Sequence, residues 1–447
     1  MESGNIIVLG AGESGVGAAV LAQKQGLKVM VSDSRKIKEK YRNVLSQSDI
    51  EFEEGKHSYD RVLSADEVIK SPGIPDDVPI IRELHARGIP VISEIEFAAR
   101  YTRAKLICIT GSNGKTTTTL LTHHILKGAG LDAVAAGNLG NSFAMELALR
   151  DHDYFVLEIS SFQLDGMFDF KADIAILMNI TPDHLDRYGN SFDAYADSKF
   201  RIIRNMGRED AFIYCKDDPV IMERLGRTSL IPRGFPFTLS SDADGDGAYI
   251  KDNNIIINIH SKTTEMTLES LALQGKHNIY NSMAASVGGR LLDIRKQHIQ
   301  DSLSDFQNIE HRLEHVSMIQ GIDFINDSKA TNVNSAWYAL ENMQGPVIWI
   351  AGGIDKGNDY SALQELVKSR VKAIVCLGKD NAHLLKAFSG VVENIIETRS
   401  MDVAVQTALY LGVKGDTVLL SPACASFDLF ENYEDRGNQF KASVNSL

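Results

Sequence analysis

The chain has only four cysteines in 447 residues: Cys108, Cys215, Cys376 and Cys424. They lie far apart, form no Cys-x-x-Cys pair and match no metal-ligand spacing. Three of them sit within or just after apolar runs, so they read as small core residues in a reducing compartment. Excess positive charge is also missing: 46 Lys and Arg against 59 Asp and Glu leave a formal net charge of −13. That balance disfavours a nucleic-acid partner but still allows local basic sites for small anions. Long apolar stretches are absent. Runs such as Ile6–Leu9 are far too short to span a bilayer. The Met-Glu-Ser-Gly start lacks a basic segment followed by an apolar one, so no signal peptide is expected. There is no low-complexity tract and no short-period repeat. These absences point to a soluble, cytoplasmic enzyme with no nucleic-acid or membrane partner, and a monomer is expected.

What is present is a repeated alternation of short apolar runs with helical stretches. It implies α/β architecture built on parallel sheets, and the length suggests roughly three domains. The first opens with Asn5–Leu9, an apolar strand. Gly10-Ala11-Gly12-Glu13-Ser14-Gly15-Val16-Gly17 follows, then a helix to about Gln25 and a second strand, Lys28–Ser32, ending at Asp33. This is the dinucleotide fingerprint in strand–turn–helix context. Its acidic residue lies 18 positions after Gly15, near the usual spacing of about 20. Gly12 and Gly15 let backbone approach a pyrophosphate, and Asp33 suits a ribose hydroxyl or a base. NAD, another diphosphate nucleotide, or a purely structural turn all fit. Gly73, after the strand Glu67–Lys70, either lies in an ordinary loop or brings backbone to the same ligand.

The second segment carries the sharper signal. Strand Ile107–Thr110 runs into Gly111-Ser112-Asn113-Gly114-Lys115-Thr116-Thr117 and then a helix. Such a turn aims backbone N–H groups and a helix N-terminus at one point, which suits polyphosphate. Lys115 is placed for the β- and γ-phosphates, and the Thr116 hydroxyl for Mg²⁺. The glycine usually found six residues before the lysine is replaced by Ile109. Glu158 closes the strand Tyr154–Glu158, where a carboxylate either holds Mg²⁺ beside the γ-phosphate or is merely solvated. His184 follows the strand Asp173–Met178, between Asp183 and Asp186. It is either a loop histidine or a metal or phosphate ligand. Lys199 reads by pattern as a surface lysine on a helix. Asp242–Gly247 reads as a polar turn, because it lacks the spacing and terminal glutamate of a calcium loop. Asn278 or Asn281 either caps the helix near Met283–Leu292 or contacts a nucleotide.

The third segment has strands at Val347–Ile350, Ala373–Leu377 and Thr417–Leu420 and a short apolar run at Asp323–Ile325. Three polar loops stand out: Asn326–Asn332, Gly352–Gly357 and Ser421–Asp428. Ligands of parallel sheets gather at strand carboxyl ends. The lysines, hydroxyls and carboxylates of these loops suit an amino-acid substrate. Two different phosphate turns plus such a domain imply ATP-driven joining of two small molecules, one carrying a nucleotide handle.

These residues resemble those of the Mur ligases over essentially the whole chain. The resemblance rests on Gly111–Thr117, Asn138, Glu158, the block Asn179 to Asp186, Lys199, His311-Arg312 and Asp327. The Asp327–Asn332 and Ser421–Asp428 loops resemble the D-glutamate-adding branch. Other branches add L-alanine, diaminopimelate or lysine, or D-Ala-D-Ala, or add glutamate to folate as folylpolyglutamate synthases do. The resemblance implies three α/β domains, each on a mainly parallel sheet. They are an N-terminal Rossmann-like domain (1–97), a central phosphate-loop ATPase-like domain (98–305) and a C-terminal Rossmann-like domain (306–447). It implies ATP-dependent ligation of D-glutamate to UDP-N-acetylmuramoyl-L-alanine through an acyl phosphate, with another amide ligase of the superfamily as the alternative.

In that family the first turn holds UDP, not NAD. The residues implied are Gly12, Ser14, Gly15, Asp33, Ser34, Arg35 and Gly73, with Asn138 and His184 at the muramoyl-alanine end. ATP falls to Gly111–Thr117, Asn278, Arg312 and Asp327. The D-glutamate carboxylates fall to Lys329, Thr331, Lys356, Ser426, Phe427 and Tyr433. Two Mg²⁺ sites are implied: Thr116 and Glu158 at one, His184 and Lys199 at the other, with Lys199 as a carbamate. Lys115, Glu158, His184 and Lys199 form the catalytic set. Two positions depart from the family pattern: Tyr433, where Phe is commoner, and Glu13-Ser14, where an apolar residue and Thr are usual. A hinge is expected near Asp305–Ile309, with the C-terminal domain closing on ATP.

Overall fold

Fully apolar runs such as Ile6-Ile7-Val8-Leu9 are what a strand buried on both faces requires, and such runs form the central strands of three sheets. The computed structural model describes residues 4–227, 229–241, 245–273, 275–306, 310–343, 345–355 and 357–447. Lys356, Asp242, Ala243, Asp244, Gln307, Asn308 and Ile309 lie outside the described residues, and with them parts of the expected acidic turn and hinge. The chain divides into two compact units, Met1–Phe306 and Gln307–Leu447.

The first unit contains two sheets. One comprises β1 (Asn5–Leu9), β2 (Lys28–Asp33), β3 (Glu51–Glu54), β4 (Glu67–Lys70) and β5 (Val91–Ile92), in the order β3-β2-β1-β4-β5 and parallel throughout. The order reverses between β1 and β4, which opens a crevice at their carboxyl ends.

The second sheet has nine strands. They are β6 (Lys105–Thr110), β7 (Ala133–Gly137), β8 (Tyr154–Glu158), β9 (Ile174–Leu177), β10 (Ala211–Cys215), β11 (Arg233–Phe237), β12 (Gly247–Lys251), β13 (Asn254–Ile259) and β14 (Lys262–Thr267). The order is β14-β13-β12-β11-β10-β9-β6-β8-β7. Among the described residues, only β12–β13 and β13–β14 pair antiparallel in this sheet. They turn through Asp252-Asn253 and His260-Ser261, all four at positive φ, as two-residue hairpins with the right twist require. This meander was not legible from the αβ alternation. The helices Glu13–Lys24 and Phe143–Leu149 pack against each other between the two sheets. A Cβ on Gly17 would fall 2.1 Å from Ser142 Oγ, so a side chain there would force them apart.

The second unit carries β15 (Glu314–Ile319), β16 (Ile322–Asn326), β17 (Val347–Ala351), β18 (Val371–Leu377), β19 (Asn394–Thr398) and β20 (Thr417–Leu420). The order is β15-β16-β20-β17-β18-β19, and among the described residues only the β15–β16 pair of this sheet is antiparallel. Helices cover both faces, burying Trp349, Phe388 and Leu340 on one side and Phe324, Phe440 and Val405 on the other.

Candidate active site

Strands β8, β6 and β9 are neighbours, so the segments after them converge. Glu158, the last residue of β8, pairs in register with Ile109 of β6, only two residues before Gly111. Gly111 and Gly114 have φ of +148° and +83°. A Cβ on Gly111 would meet Met178 Cβ at 2.9 Å, and one on Gly114 would meet Asn281 Oδ1 at 2.6 Å. Backbone conformation and space therefore both demand glycine. Gly114 caps the helix Lys115–Gly128, whose first intrahelical bond runs from Thr118 N–H to Gly114 O at 3.0 Å. The first-turn N–H groups point out of the helix end, as an anion site requires.

The loop is fastened to the segment after β9. Ser112 N–H donates to Asn179 O at 3.0 Å, Asn113 N–H to Asn179 Oδ1 at 2.8 Å, and Asn179 Nδ2 back to Asn113 O at 3.0 Å. Ser112 Oγ donates to Thr181 O at 2.7 Å and lies 2.9 Å from the Tyr195 hydroxyl. The amides of Ser112 and Asn113 thus hold the loop's shape. Lys115 folds back over the turn and donates to the carbonyls of Gly111 and Ser112, both at 2.9 Å.

Lys199 corrects the pattern-based reading of a surface lysine: it is 2% exposed. The helix Phe192–Phe200 aims it under the phosphate loop, where Nζ donates to Gly111 O at 3.0 Å and Thr110 Oγ1 at 3.2 Å. Burial, with repulsion from Lys115, pushes its ammonium well below the ordinary lysine range, against attraction from Asp183, Glu158 and Asp165. Lys115, Glu158, Asp183 and Lys199 are therefore electrostatic neighbours. Glu158 is buried, not solvated, and accepts from Asn138 Nδ2 at 2.8 Å. His184 has φ +52°, stands 3.7 Å from Asp183, and meets the Phe162 ring edge to face at 5.2 Å.

A second correction concerns Asn278 and Asn281. Neither caps a helix; both lie inside Lys276–Leu291, whose N-cap is Gly275. Asn281 is buried and links Asn278 Oδ1 (3.2 Å) to Thr118 Oγ1 (3.2 Å), bracing the phosphate-loop helix. Among the described residues, no group of three or more His, Cys, Asp or Glu is placed to hold a metal. Mg²⁺ takes one or two protein oxygens and keeps water or phosphate for the rest. The Thr116 hydroxyl and the buried Glu158 carboxylate are hard oxygen donors of this kind.

At the first sheet, Gly12 caps the helix Glu13–Lys24. A Cβ on Gly15 would fall 1.9 Å from Gly10 O, so the turn closes only with glycine. Asp33 accepts from Ala11 N–H and Arg35 N–H, each at 2.8 Å, and so shapes the turn itself. Ser14 lies at the helix start, and Ser34, Arg35 and Gly73 are exposed along the same crevice. Ser71 Oγ donates to Gly10 O at 3.2 Å, which joins the Gly73 loop to the glycine turn.

In the second unit the three polar loops meet at the carboxyl ends of β16, β17 and β20. Gly352 N–H donates to Pro422 O at 2.9 Å, Ile354 N–H to Ala425 O at 2.8 Å, and Ser421 Oγ to Asp327 Oδ2 at 2.9 Å. Burial pushes the Asp327 carboxyl up to about 7, against attraction from Arg312. Lys329 lies 3.3 Å from the Tyr433 hydroxyl and 5.0 Å from its ring centre. Thr331 is half-buried, Ser426 buried and Phe427 exposed.

The residue missed by sequence reasoning is Arg436, 1% exposed. Its guanidinium donates to Ser328 Oγ (3.0 Å), Ser328 O (2.8 Å), Cys424 O (3.2 Å) and Gly352 O (3.4 Å), one clamp on all three loops. The signal was available. Arg436 shares a buried stripe with Phe440, Ser443 and Val444, and a charge in such a stripe needs partners.

The fold and the site thus define a nucleotide-dependent enzyme assembled from three α/β sheets. Three family models match: the Mur ligase MurD-like N-terminal domain at 4–93, the Mur ligase middle domain at 109–288, and the Mur ligase glutamate ligase domain at 311–424. The chain belongs to the Mur ligase family. It is 53% identical over 443 residues to the UDP-N-acetylmuramoylalanine–D-glutamate ligase of Bacteroides fragilis, with 99% of each chain covered. To the Chlorobaculum tepidum enzyme of the same name it is 40% identical over 454 residues, covering 98% of this chain and 97% of that one. Among solved structures, the UDP-N-acetylmuramate–alanine ligase of Thermotoga maritima shares the fold at a TM-score of 0.63 and 18% identity, with 99% of each chain covered. A pseudomurein peptide ligase from Methanothermus fervidus gives the same figures.

Proposed function

We propose that this chain joins D-glutamate to UDP-N-acetylmuramoyl-L-alanine at the expense of ATP, in cytoplasmic peptidoglycan precursor synthesis. What carries the reading is the presence of two unlike phosphate turns in one unit, one with Lys-Thr and one without. The chain that holds them is 53% identical, end to end, to enzymes of that name. The turn without lysine suits an anchored diphosphate; the one with Lys115 suits an ATP whose γ-phosphate reacts.

The alanyl carboxylate attacks the γ-phosphorus, giving an acyl phosphate and ADP. The D-glutamate amine then attacks the acyl carbon, and the tetrahedral adduct collapses to amide and phosphate. Two anions must meet in the first step. Lys115 and the helix N-terminus offset that repulsion, and Asn138 and His184 orient the alanyl end. Thr116 and Glu158 would hold one Mg²⁺, His184 and carbamylated Lys199 a second, supplying charge neutralisation at the transferring phosphoryl group. Carbamylation suits Lys199 because a neutral amine is the form that adds CO₂, releasing a proton. The ATP roles of Asn278, Arg312 and Asp327 and the D-glutamate roles of Lys329, Thr331, Lys356, Ser426, Phe427 and Tyr433 belong to the same proposal. A hydroxyl- and lysine-rich donor set matches a dianion.

The test is phosphate release with ATP, Mg²⁺ and UDP-N-acetylmuramoyl-L-alanine, screening D-Glu, L-Glu, meso-diaminopimelate, L-Lys and L-Ala, with product mass confirmed. Turnover with D-Glu alone is expected. Turnover with another acceptor would keep the ligase chemistry and remove the specificity assigned to the second unit. No turnover by folded protein would sink the proposal.

A further inference from the structure

His184 is followed by a short 3-10 turn, Leu185–Tyr188, whose Arg187 reaches away from the catalytic cluster. Its Nη2 donates to Ile74 O at 3.3 Å and Pro72 O at 3.4 Å. These carbonyls belong to the Ser71–Ile74 loop. Ser71 is bonded through its amide to Leu9 O at 2.9 Å and through its hydroxyl to Gly10 O. The loop is thus continuous with the glycine turn of the first sheet. On its other side the Arg187 guanidinium lies over the Phe162 ring, 4.5 Å from its centre. Phe162 then meets His184 edge to face and Tyr188 face to face at 6.0 Å. Its short helix, Ser161–Asp165, begins three residues after Glu158.

A cation held over an aromatic ring while donating to two carbonyls ties that ring to the segment that carries the carbonyls. The ring in turn limits where the His184 imidazole, on a left-handed backbone residue, can sit.

We infer that Arg187 is a positioning residue: through Phe162 it ties the placement of His184 to occupancy of the nucleotide turn by the UDP end of the substrate. The inference rests on the ligase reading above and adds a coupling between its nucleotide turn and the reacting carboxyl end of the same substrate. Binding energy gained at the unreactive nucleotide would then be expressed at the reacting carboxyl. The test reads the coupling itself.

Steady-state kinetics on wild type, R187A, R187K, F162A and R187A/F162A supply that reading, with unfolding temperatures and UDP-substrate affinities measured alongside. R187A should raise KM for UDP-N-acetylmuramoyl-L-alanine and lower kcat, each roughly tenfold, in the range of inter-site coupling. KM for ATP and D-glutamate should stay within about twofold. R187K should recover only part, since it keeps the charge but not the stacked fork. The double variant should be no worse than the worse single one. With 1-phospho-N-acetylmuramoyl-L-alanine, which lacks the nucleotide, R187A and wild type should be equal. Additive losses in the double variant would overturn the inference, as would equal losses on both substrates or KM values that all drift with the unfolding temperature. Should the truncated substrate not turn over, the double-variant comparison decides. Failure of wild type on the full substrates would instead strike the ligase reading itself.

Discussion

Single residues in this chain are constrained for reasons that can be separated. Gly114 combines a φ of +83° with an Asn281 oxygen 2.6 Å from any added Cβ. G114A should therefore cost about 1–3 kcal/mol in urea unfolding and weaken ATP binding by shifting the helix end. Unchanged stability and unchanged KM for ATP would show that the loop yields without strain. Arg436 is constrained by its partners. Burial lowers its guanidinium to about 10, still charged at neutral pH. R436A strands neutral acceptors on three loops and should cost about 1–3 kcal/mol. R436K keeps a charge but cannot span Ser328, Cys424 and Gly352 together, so it should raise KM for D-glutamate more than KM for ATP. Equal rises in both would make Arg436 a core group only.

At the scale of elements, buried carboxylates fasten helices to their neighbours. Glu96 accepts from the amides of Phe168, Asp169 and Phe170 at 2.9–3.2 Å. Glu94 accepts from Ala144 N–H at the start of the helix Phe143–Leu149. Burial, aided by repulsion from Glu13 and opposed by that amide, moves the Glu94 carboxyl from its ordinary 4.5 up to about 8. The folded chain therefore keeps a proton that the unfolded chain gives up across that window. Stability should fall as pH rises through it, by up to about 1.4 kcal/mol per pH unit from this group. E94Q, which retains an acceptor, should flatten the decline between pH 5 and 8 in urea titrations. Parallel curves for the two proteins would count against this.

Elements are also where the sequence was most legible. Strands Asn5–Leu9, Glu67–Lys70, Tyr154–Glu158 and Thr417–Leu420 stand where the apolar runs put them. The glycine turns mark the starts of the helices Glu13–Lys24 and Lys115–Gly128 because a missing Cβ shows directly in the letters. The β12–β14 meander escaped notice because its turn residues, Asp252-Asn253 and His260-Ser261, lack glycine. Pattern alone put Lys199 on the surface, although the family resemblance had placed it in the catalytic set, and Arg436 was missed for a related reason. Pattern assigns charges to the surface, whereas these two are buried by contacts with loops distant in sequence, Thr110–Gly111 for one and Ser328, Gly352 and Cys424 for the other.

The whole molecule contains two compact units, and among the described residues no helix is long and apolar enough to cross a membrane. Calorimetry should resolve two transitions, and UDP-N-acetylmuramoyl-L-alanine should raise only one, that of the unit holding both phosphate turns. A single transition shifted as a block would show that the units unfold together.

The distribution of sulfur has a further use. Cys108 lies in β6, Cys215 in β10, Cys376 in β18, and Cys424 in the loop after β20; all four are buried. Desolvation lifts the thiols of Cys215 and Cys376 to about 12 and Cys424 to about 11, with Cys108 raised as well. The native thiols should thus be nearly inert to alkylation. Each will label only when the sheet that holds it, or for Cys424 the loop after β20, opens. The chain carries a built-in clock: two thiols time the breathing of the nine-stranded sheet and two that of the six-stranded sheet and its β20 loop, while the first sheet, with no cysteine, stays silent.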